Sequence, residues 1–98
     1  MKIDVQVIDY LNPQHAEQFT YLLNQYAQDP MGGGAPLSKE VQQNLAMELS
    51  KLPHATSVIG YVEGQPAGLI NFFDAFSTFK CKPLINIHDI IVIEKYRG

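Results

Sequence analysis

The chain carries two adjacent ionisable side chains, His88 and Asp89, at the start of an apolar run. Imidazole exchanges protons readily near neutral pH, so His88 could act as an acid or a base. Alternation along an extended segment predicts His88 on one face and Asp89 on the other. The first face would then hold Asn86, His88, Ile90 and Val92. A hydrogen-bonded, half-buried histidine without chemistry is the alternative, and Asp89 is expected to bond backbone or a neighbouring side chain.

Two other side chains could contact a ligand. Asp74 could face a cationic molecule, or it could be a solvated loop acid. Tyr26 comes near the end of a helical pattern, where it could touch a substrate, although its spacing also fits core packing.

Several other patterns do not form a site. The glycines Gly32–Gly34 lack the Gly-Lys-Ser/Thr ending of a P-loop and follow a helix rather than a strand. Cys81 lies between two lysines, which favour thiolate, but no histidine base is near it in sequence. His15 and His54 have no spacing typical of metal ligands, so no metal site is predicted.

The composition narrows the class of protein. The 98 residues are 46% hydrophobic and 17% charged, as in a globular domain, and the net charge is −3. Basic residues are scattered rather than clustered, which argues against nucleic acid as a partner. The chain has one cysteine and neither a signal peptide nor an apolar run of about 18 residues, so a cytoplasmic protein away from the membrane is expected.

The first half of the chain reads as one strand and two helices. Residues Ile3–Ile8 alternate with period two, as in a half-buried strand. Asn12 and Pro13 predict the start of a helix that runs to about Gln28 with one apolar face. A loop rich in Gly and Pro follows, then a second amphipathic helix that begins after Ser38 and is closed by Pro53.

The second half reads as three strands. Ser57–Val62 and Ala67–Phe73 predict an antiparallel pair joined by a tight turn. Residues Asp74–Pro83 form a looser stretch, and Leu84–Ile93 is a long strand. That last strand is apolar on both faces at Ile90–Ile93, so it is expected in the middle of a covered sheet. No following segment could pair with its second edge, so a partner subunit or further polypeptide is expected there.

The segment IHDIIVIEKYRG, residues 87–98, resembles the fourth strand of the GNAT superfamily of N-acetyltransferases, followed by the start of its phosphate-binding loop. The element order β-α-α-β-β-β is also similar to the beginning of a GNAT domain. The resemblance therefore implies an α+β fold: the N-terminal half of a GNAT domain, with a mostly antiparallel sheet and helices packed on it. Residues 1–98 would be a partial domain, truncated at the phosphate-binding loop.

The resemblance also implies a cofactor site. Acetyl-CoA would lie along the fourth strand, where a bulge frees backbone N–H groups, and Ile90, Ile91 and Val92 would provide the main-chain contacts. Arg97 and Gly98 would open the loop that holds the pyrophosphate.

Within the superfamily, the Phe76–Phe79 segment, Lys82-Pro83 and Asp89 look most like the branch that acetylates small amines, including diamines and thialysine. His88 stands where that branch often has a glutamate near the acceptor amine, so it could accept the proton of an ammonium substrate. The segment between the first two helices would wall the acceptor site.

Three functions follow as alternatives. The first is transfer of acetyl from acetyl-CoA to a primary amine of a small molecule, with negligible activity expected from this chain alone. The second is a non-catalytic remnant that folds as a homodimer through its exposed fourth strand. The third is a small module that binds coenzyme A weakly along that strand.

Overall fold

A computed structural model describes residues 2–97 of the chain. Two helices and a four-stranded antiparallel sheet form the fold, which confirms the predicted α+β class and its element order. Neither helix of residues 2–97 combines the length and apolar character that crossing a membrane would need. The elements are β1 Ile3–Val7, α1 Pro13–Gln28, α2 Lys39–Ser50, β2 Ala55–Val62, β3 Gln65–Ser77 and β4 Lys82–Val92, with short 3₁₀ turns at Pro30–Gly32 and Glu94–Tyr96.

Both helices begin where the sequence predicted, because a side chain caps each start. The Asn12 carboxamide accepts hydrogen bonds from the backbone N–H groups of Gln14, at 2.9 Å, and His15, at 3.2 Å. The Ser38 hydroxyl accepts one from Val41 N–H at 3.2 Å. These bonds satisfy N–H groups that would otherwise lack a helical partner.

The core lies between α1 and one face of the sheet. Phe19 and Leu22 of α1 are fully buried against the central strands. Helix α2 has no buried residue and packs mainly beside α1. The core cluster comprises Ile8, Phe19, Leu22, Ile59, Leu69 and Ile91.

The second face of the sheet is apolar and exposed. Cross-strand pairing puts Val7, Val58, Ile70 and Ile90 in one row on this face. The same face carries Ile3 and Val5, each more than 60% exposed. The apolar set of β1 therefore points away from the helices, and β1 is not half-buried as its alternation predicted.

Strand β4 lies at the edge of the sheet. The strand order is β1-β2-β3-β4, so β4 has β3 on one side and no neighbour on the other among residues 2–97. The predicted position inside a covered sheet is not observed in this part of the chain. Of the apolar residues in β4, Ile91 alone is buried, at 2% exposure, whereas Ile90 is 63% exposed.

The looser stretch predicted over Asp74–Pro83 is instead the outer half of a long hairpin. Asp74 pairs with Ile85 and Ser77 with Lys82, and the turn between them contains Cys81 at a positive φ of 53°. Aromatic and β-branched residues favour cross-strand pairing, which extends both strands past the predicted limits.

We expect Ile59→Val to lower the free energy of unfolding by about 0.5–1.5 kcal/mol, because it removes a methylene from a fully buried side chain. Ile3→Val makes the same change at an exposed position on β1 and should leave stability nearly unchanged. Urea denaturation followed by circular dichroism measures both. Equal losses for the two variants would contradict this assignment of the core.

Candidate functional site

A register shift in β4 brings His88 and Asp89 to the same side of the sheet. Asn71 pairs with Asp89, but the next residue of β3, Phe72, pairs with Ile87. His88 is therefore an extra residue, a β-bulge, and alternation does not hold across it. The predicted separation of His88 and Asp89 onto opposite faces is wrong for this reason, as is the grouping of His88 with Ile90 and Val92.

Both side chains line a cavity of about 410 Å³ between the helices and the sheet, which we call the helix–sheet cavity. The His88 ring contacts the Phe73 ring edge to face, with centroids 5.7 Å apart. Helix residues supply most of the apolar wall. The lining residues are Tyr10, Phe19, Leu23, Tyr26, Ala27, Gly32, Leu37, Val41, Leu45, Leu49, Thr56, Ser57, Asn71, Phe73, His88 and Asp89.

A chain of hydrogen bonds runs across the floor of this cavity to Asp89. Asn71 donates from Nδ2 to Asp89 Oδ2 at 3.0 Å, and Asn71 Oδ1 accepts from the Ser57 hydroxyl. Because Ser57 has a single hydroxyl hydrogen and gives it to Asn71, the Tyr10 hydroxyl at 2.7 Å must donate to Ser57 Oγ.

Burial supports this direction of donation. Ser57 is 1% exposed and Asn71 is 7% exposed, so each needs its hydrogen bonds within the protein. Burial also raises the pKa of Tyr10 above its usual value, which keeps its hydroxyl protonated. The chain of donors ends at the carboxylate of Asp89. The expectation that Asp89 bonds a neighbouring side chain is confirmed.

A second, smaller cavity of about 280 Å³ lies beside the end of β4, and we call it the edge cavity. Its wall combines the end of α1 with residues 91–94 and Arg97. The Arg97 guanidinium donates from Nε to the Val92 carbonyl at 2.7 Å and pairs with the Asp29 carboxylate at 3.2 Å. Arg97 thus ties the open edge of β4 to the loop that follows α1.

Asp29 is stabilised in its ionised form. Its side chain accepts a hydrogen bond from Met31 N–H at 2.9 Å, and this bond together with Arg97 lowers the pKa of Asp29 below its usual value. The carboxylate therefore caps the short turn Pro30–Gly32 and holds Arg97 at the same time.

The ladder decides which backbone groups of β4 are free. Ile93 N–H donates to the Ala67 carbonyl at 3.0 Å, so residue 93 points toward β3. Directions alternate along an antiparallel strand, so Ile91 also bonds within the sheet, to Leu69. Ile90 and Val92 present their N–H groups at the open edge. Of the three residues predicted to contact the cofactor through the main chain, Ile90 and Val92 have free N–H groups, whereas the N–H of Ile91 points toward β3.

The remaining predicted residues divide between the two cavities and positions outside them. Tyr26 lines both cavities and also packs against the core. Asp74 is exposed within β3, not past its end, and alternation from Phe73 turns it away from the helix–sheet cavity. Gly98 lies outside the described residues. No group of three or more His, Cys, Asp or Glu side chains in residues 2–97 is placed to hold a metal ion.

The loop between the helices forms part of the cavity wall through Gly32. A Cβ atom at Gly32 would lie 2.0 Å from the carbonyl oxygen of Tyr26, so no other residue fits without movement of the backbone. The close approach seats the loop against the end of α1 beside Tyr26.

Sequence reasoning missed the residues that hold Asp89. Asn71 interrupts the apolar run of β3, and a polar residue there is a signal of a buried hydrogen bond. Ser57 and Tyr10 gave no comparable signal, because their roles depend on which strands are neighbours.

The fold is that of GNAT acetyltransferases. A ribosomal-protein-alanine N-acetyltransferase from Brucella melitensis superposes with a TM-score of 0.76 at 22% identity, covering 99% of this chain and 61% of that protein. A GNAT family acetyltransferase from Staphylococcus aureus gives 0.76 at 12% identity, covering 100% of this chain and 67% of that one. AAC(6')-Iy, solved with a bisubstrate analog of coenzyme A and acetylneamine, gives 0.74 at 16% identity, with coverage of 100% and 62%.

This chain therefore spans about six-tenths of the length of the solved structures that it resembles. No protein-family model matches it, and no curated protein sequence matches it significantly. At these identities the likeness establishes the fold.

We expect Asp29→Asn to lower the free energy of unfolding near neutral pH, because it removes the charge that pairs with Arg97 while keeping an oxygen for Met31 N–H. The folded pKa of Asp29 lies below its usual value of 3.8, so its contribution is present above that pH and is lost as the pH falls further. The difference from wild type should thus shrink below pH 3.8.

Urea denaturation at a series of pH values measures this difference. Asp4→Asn, on β1 and outside the ion pairs of residues 2–97, is the matched control and should show a smaller effect. A difference between wild type and Asp29→Asn that grows on acidification would contradict the assignment.

Proposed function

We propose that this chain contributes to a GNAT-type N-acetyltransferase, which moves the acetyl group of acetyl-CoA to a primary amine of a small molecule. One observation carries the proposal: β4 directs His88, a proton acceptor, into one cavity and presents free N–H groups at the sheet edge beside the other. The fold shared with acetyltransferases supports it.

The open edge of β4 fits the pantetheine arm of acetyl-CoA. The arm carries amide groups, and the outward N–H groups of Ile90 and Val92 would donate to their carbonyl oxygens as a neighbouring strand would. The edge cavity continues from this edge toward Arg97. Tyr26 lines both cavities, so an acetyl donor at the edge and an amine in the helix–sheet cavity would meet beside it.

The residues of the chain would then handle the proton and the developing charge. His88 would accept a proton from the bound ammonium, directly or through water, which frees the nitrogen lone pair. Acetyl-CoA supplies the acetyl group as a thioester. The amine nitrogen bonds to the carbonyl carbon and the carbon–sulfur bond breaks, while strand N–H groups stabilise the negative charge on the oxygen.

Affinity for the whole cofactor should be low in this chain. Within the described part of the chain, Arg97 is the one cation that lines the edge cavity, which also carries the acids Asp29 and Glu94. This balance gives little attraction for the phosphates of coenzyme A. Slow turnover is expected for the same reason, and a probe without phosphates isolates the contacts made by the arm.

We expect S-acetylpantetheine to shift the amide signals of Ile90 and Val92 most strongly in a ¹⁵N NMR titration. Val92→Pro removes one outward N–H group, so binding of S-acetylpantetheine should weaken several-fold. The fold should survive, because proline is tolerated on an edge strand. Val5→Pro makes the same change at the opposite edge of the sheet, where the register also turns the N–H outward, and should leave binding unchanged.

Equal shifts at β1 and β4, or no shifts at either edge, would refute acetyl-donor binding along β4. Loss of binding in both proline variants would show a general effect on folding and would also count against the assignment.

We also propose that the chain forms a homodimer through β4. Outward backbone groups at Ile90 and Val92, with exposed apolar side chains on the same strand, are the features that allow two strands to pair. A cytoplasmic location is part of the proposal, and the single exposed cysteine is consistent with it.

Sedimentation equilibrium at micromolar concentration should give twice the mass of one chain. Ile90→Lys should shift the mass to that of a monomer, because charge on an edge strand opposes pairing. Ile3→Lys is the control, since Ile3 is equally exposed, at 63%, on the other edge. A wild-type monomer, or dissociation by both variants alike, would rule out a β4 interface.

A further inference from the structure

The helix–sheet cavity has an uneven distribution of charge. Among residues 2–97, Asp89 is the one carboxylate in its wall, and neither lysine nor arginine lines it. The only other ionisable groups in the wall are His88, next to Asp89, and the tyrosines Tyr10 and Tyr26. A ligand with one positive charge would be neutralised here, whereas an anion would find no counter-charge.

One carboxylate oxygen of Asp89 accepts a hydrogen bond within the protein, and the other is available to a ligand. Its Oδ2 accepts from Asn71 Nδ2 at 3.0 Å, and no residue within 2–97 donates to Oδ1. The Tyr10–Ser57–Asn71 chain fixes the direction of these bonds, since Asn71 can donate to Asp89 only while its Oδ1 accepts from Ser57. The carboxylate is thus oriented before a ligand arrives, with an acceptor left for an ammonium N–H.

Most of the remaining wall is apolar, and the hydroxyls of Tyr26 and Thr56 are among its few polar groups. Helix residues Leu23, Val41, Leu45 and Leu49 face the sheet across the cavity, and Phe73 closes the side beside His88. A volume of about 410 Å³ lies within the range of about 300–1,000 Å³ typical of small-ligand sites. A second ammonium would find no second carboxylate among the lining residues within 2–97, and most of the surface around it would be hydrocarbon.

We infer that the helix–sheet cavity selects a primary amine with a single positive charge on an apolar body, such as an arylalkyl or branched alkyl group. The ammonium binds Asp89 Oδ1 and the apolar body packs among the leucines of the helices. Diamines and aminoglycosides, which carry several charges, are disfavoured, because Asp89 can pair with only one of those charges. That this amine is the acetyl acceptor rests on the proposed function. That it binds here rests on the cavity alone.

The test measures binding without an acetyl donor, so it is independent of acetyl transfer. The probes are phenethylamine, phenethyl alcohol of the same shape without the charge, and 1,4-diaminobutane with two charges and no ring. Dissociation constants come from ¹⁵N NMR titration of the chain. We expect phenethylamine to bind about tenfold or more tightly than either comparator, with shifts at Asn71, His88 and Asp89.

Asp89→Asn tests the charge, because the introduced carboxamide keeps one oxygen that can accept from Asn71 Nδ2 in place of Asp89 Oδ2 and so preserves the hydrogen-bond chain. The preference for phenethylamine over phenethyl alcohol should fall to about onefold in this variant. Glu17→Gln, an exposed acid on α1 away from the cavity, should retain the full preference. Tyr10→Phe should weaken amine binding less than Asp89→Asn does, since it acts through two intervening residues.

Tighter binding of 1,4-diaminobutane, equal binding of amine and alcohol by the wild-type chain, or no binding of any probe would overturn the inference. The comparison of the three probes on the wild-type chain tests the inference even where a variant fails to fold. Binding of phenethylamine without its acetylation, tested separately with acetyl-CoA and mass spectrometry of the products, would uphold the cavity assignment and refute the proposed function.

Discussion

The extra residue in β4 brings His88 and Asp89 into the same cavity. Without the bulge at His88, strict alternation would place His88 and Asp89 on opposite faces of the sheet. The bulge keeps Ile91 in the core, turned toward α1, while both ionisable side chains also face the helices. The same strand presents outward N–H groups at Ile90 and Val92, because regular alternation past the bulge turns the N–H groups of Ile91 and Ile93 toward β3.

The polar groups near the bulge are stable because each has a partner. An unpaired hydroxyl or carboxamide at the positions of Ser57 and Asn71 would cost about 1–3 kcal/mol. The chain of bonds from Tyr10 to Asp89 removes that cost, and no buried side-chain nitrogen or oxygen in the described part of the chain lacks a partner. The carboxylate of Asp89 is the acceptor at which this chain of donors ends.

Local sequence signals predicted the helices and strands, but they could not predict how the strands pair or which face of each strand is covered. Asn12 and Ser38 predicted the starts of both helices, because a capping side chain bonds backbone N–H groups only two or three residues further along the chain. The alternation in β1 identified two faces but could not say which one α1 would cover, and the apolar face proved to be the exposed one. Whether β4 contains an extra residue depends on the register that β3 imposes, so the faces of His88 and Asp89 could not be read from the spacing.

The free edge of β4 can satisfy only one partner at a time. A strand from a second copy and the pantetheine arm of acetyl-CoA would use the same outward groups of Ile90 and Val92. Arg97 already occupies the Val92 carbonyl, which leaves the N–H groups as the main attraction for either partner. Because a ligand that binds only the monomer shifts the equilibrium by mass action, acetyl-donor binding and β4 pairing should oppose each other. Pairing at the edge would not cover the apolar face of the sheet, because Val5 and Ile70 on that face would remain exposed to water. The proposed dimer and the proposed acetyl-donor site therefore compete for the same sheet edge.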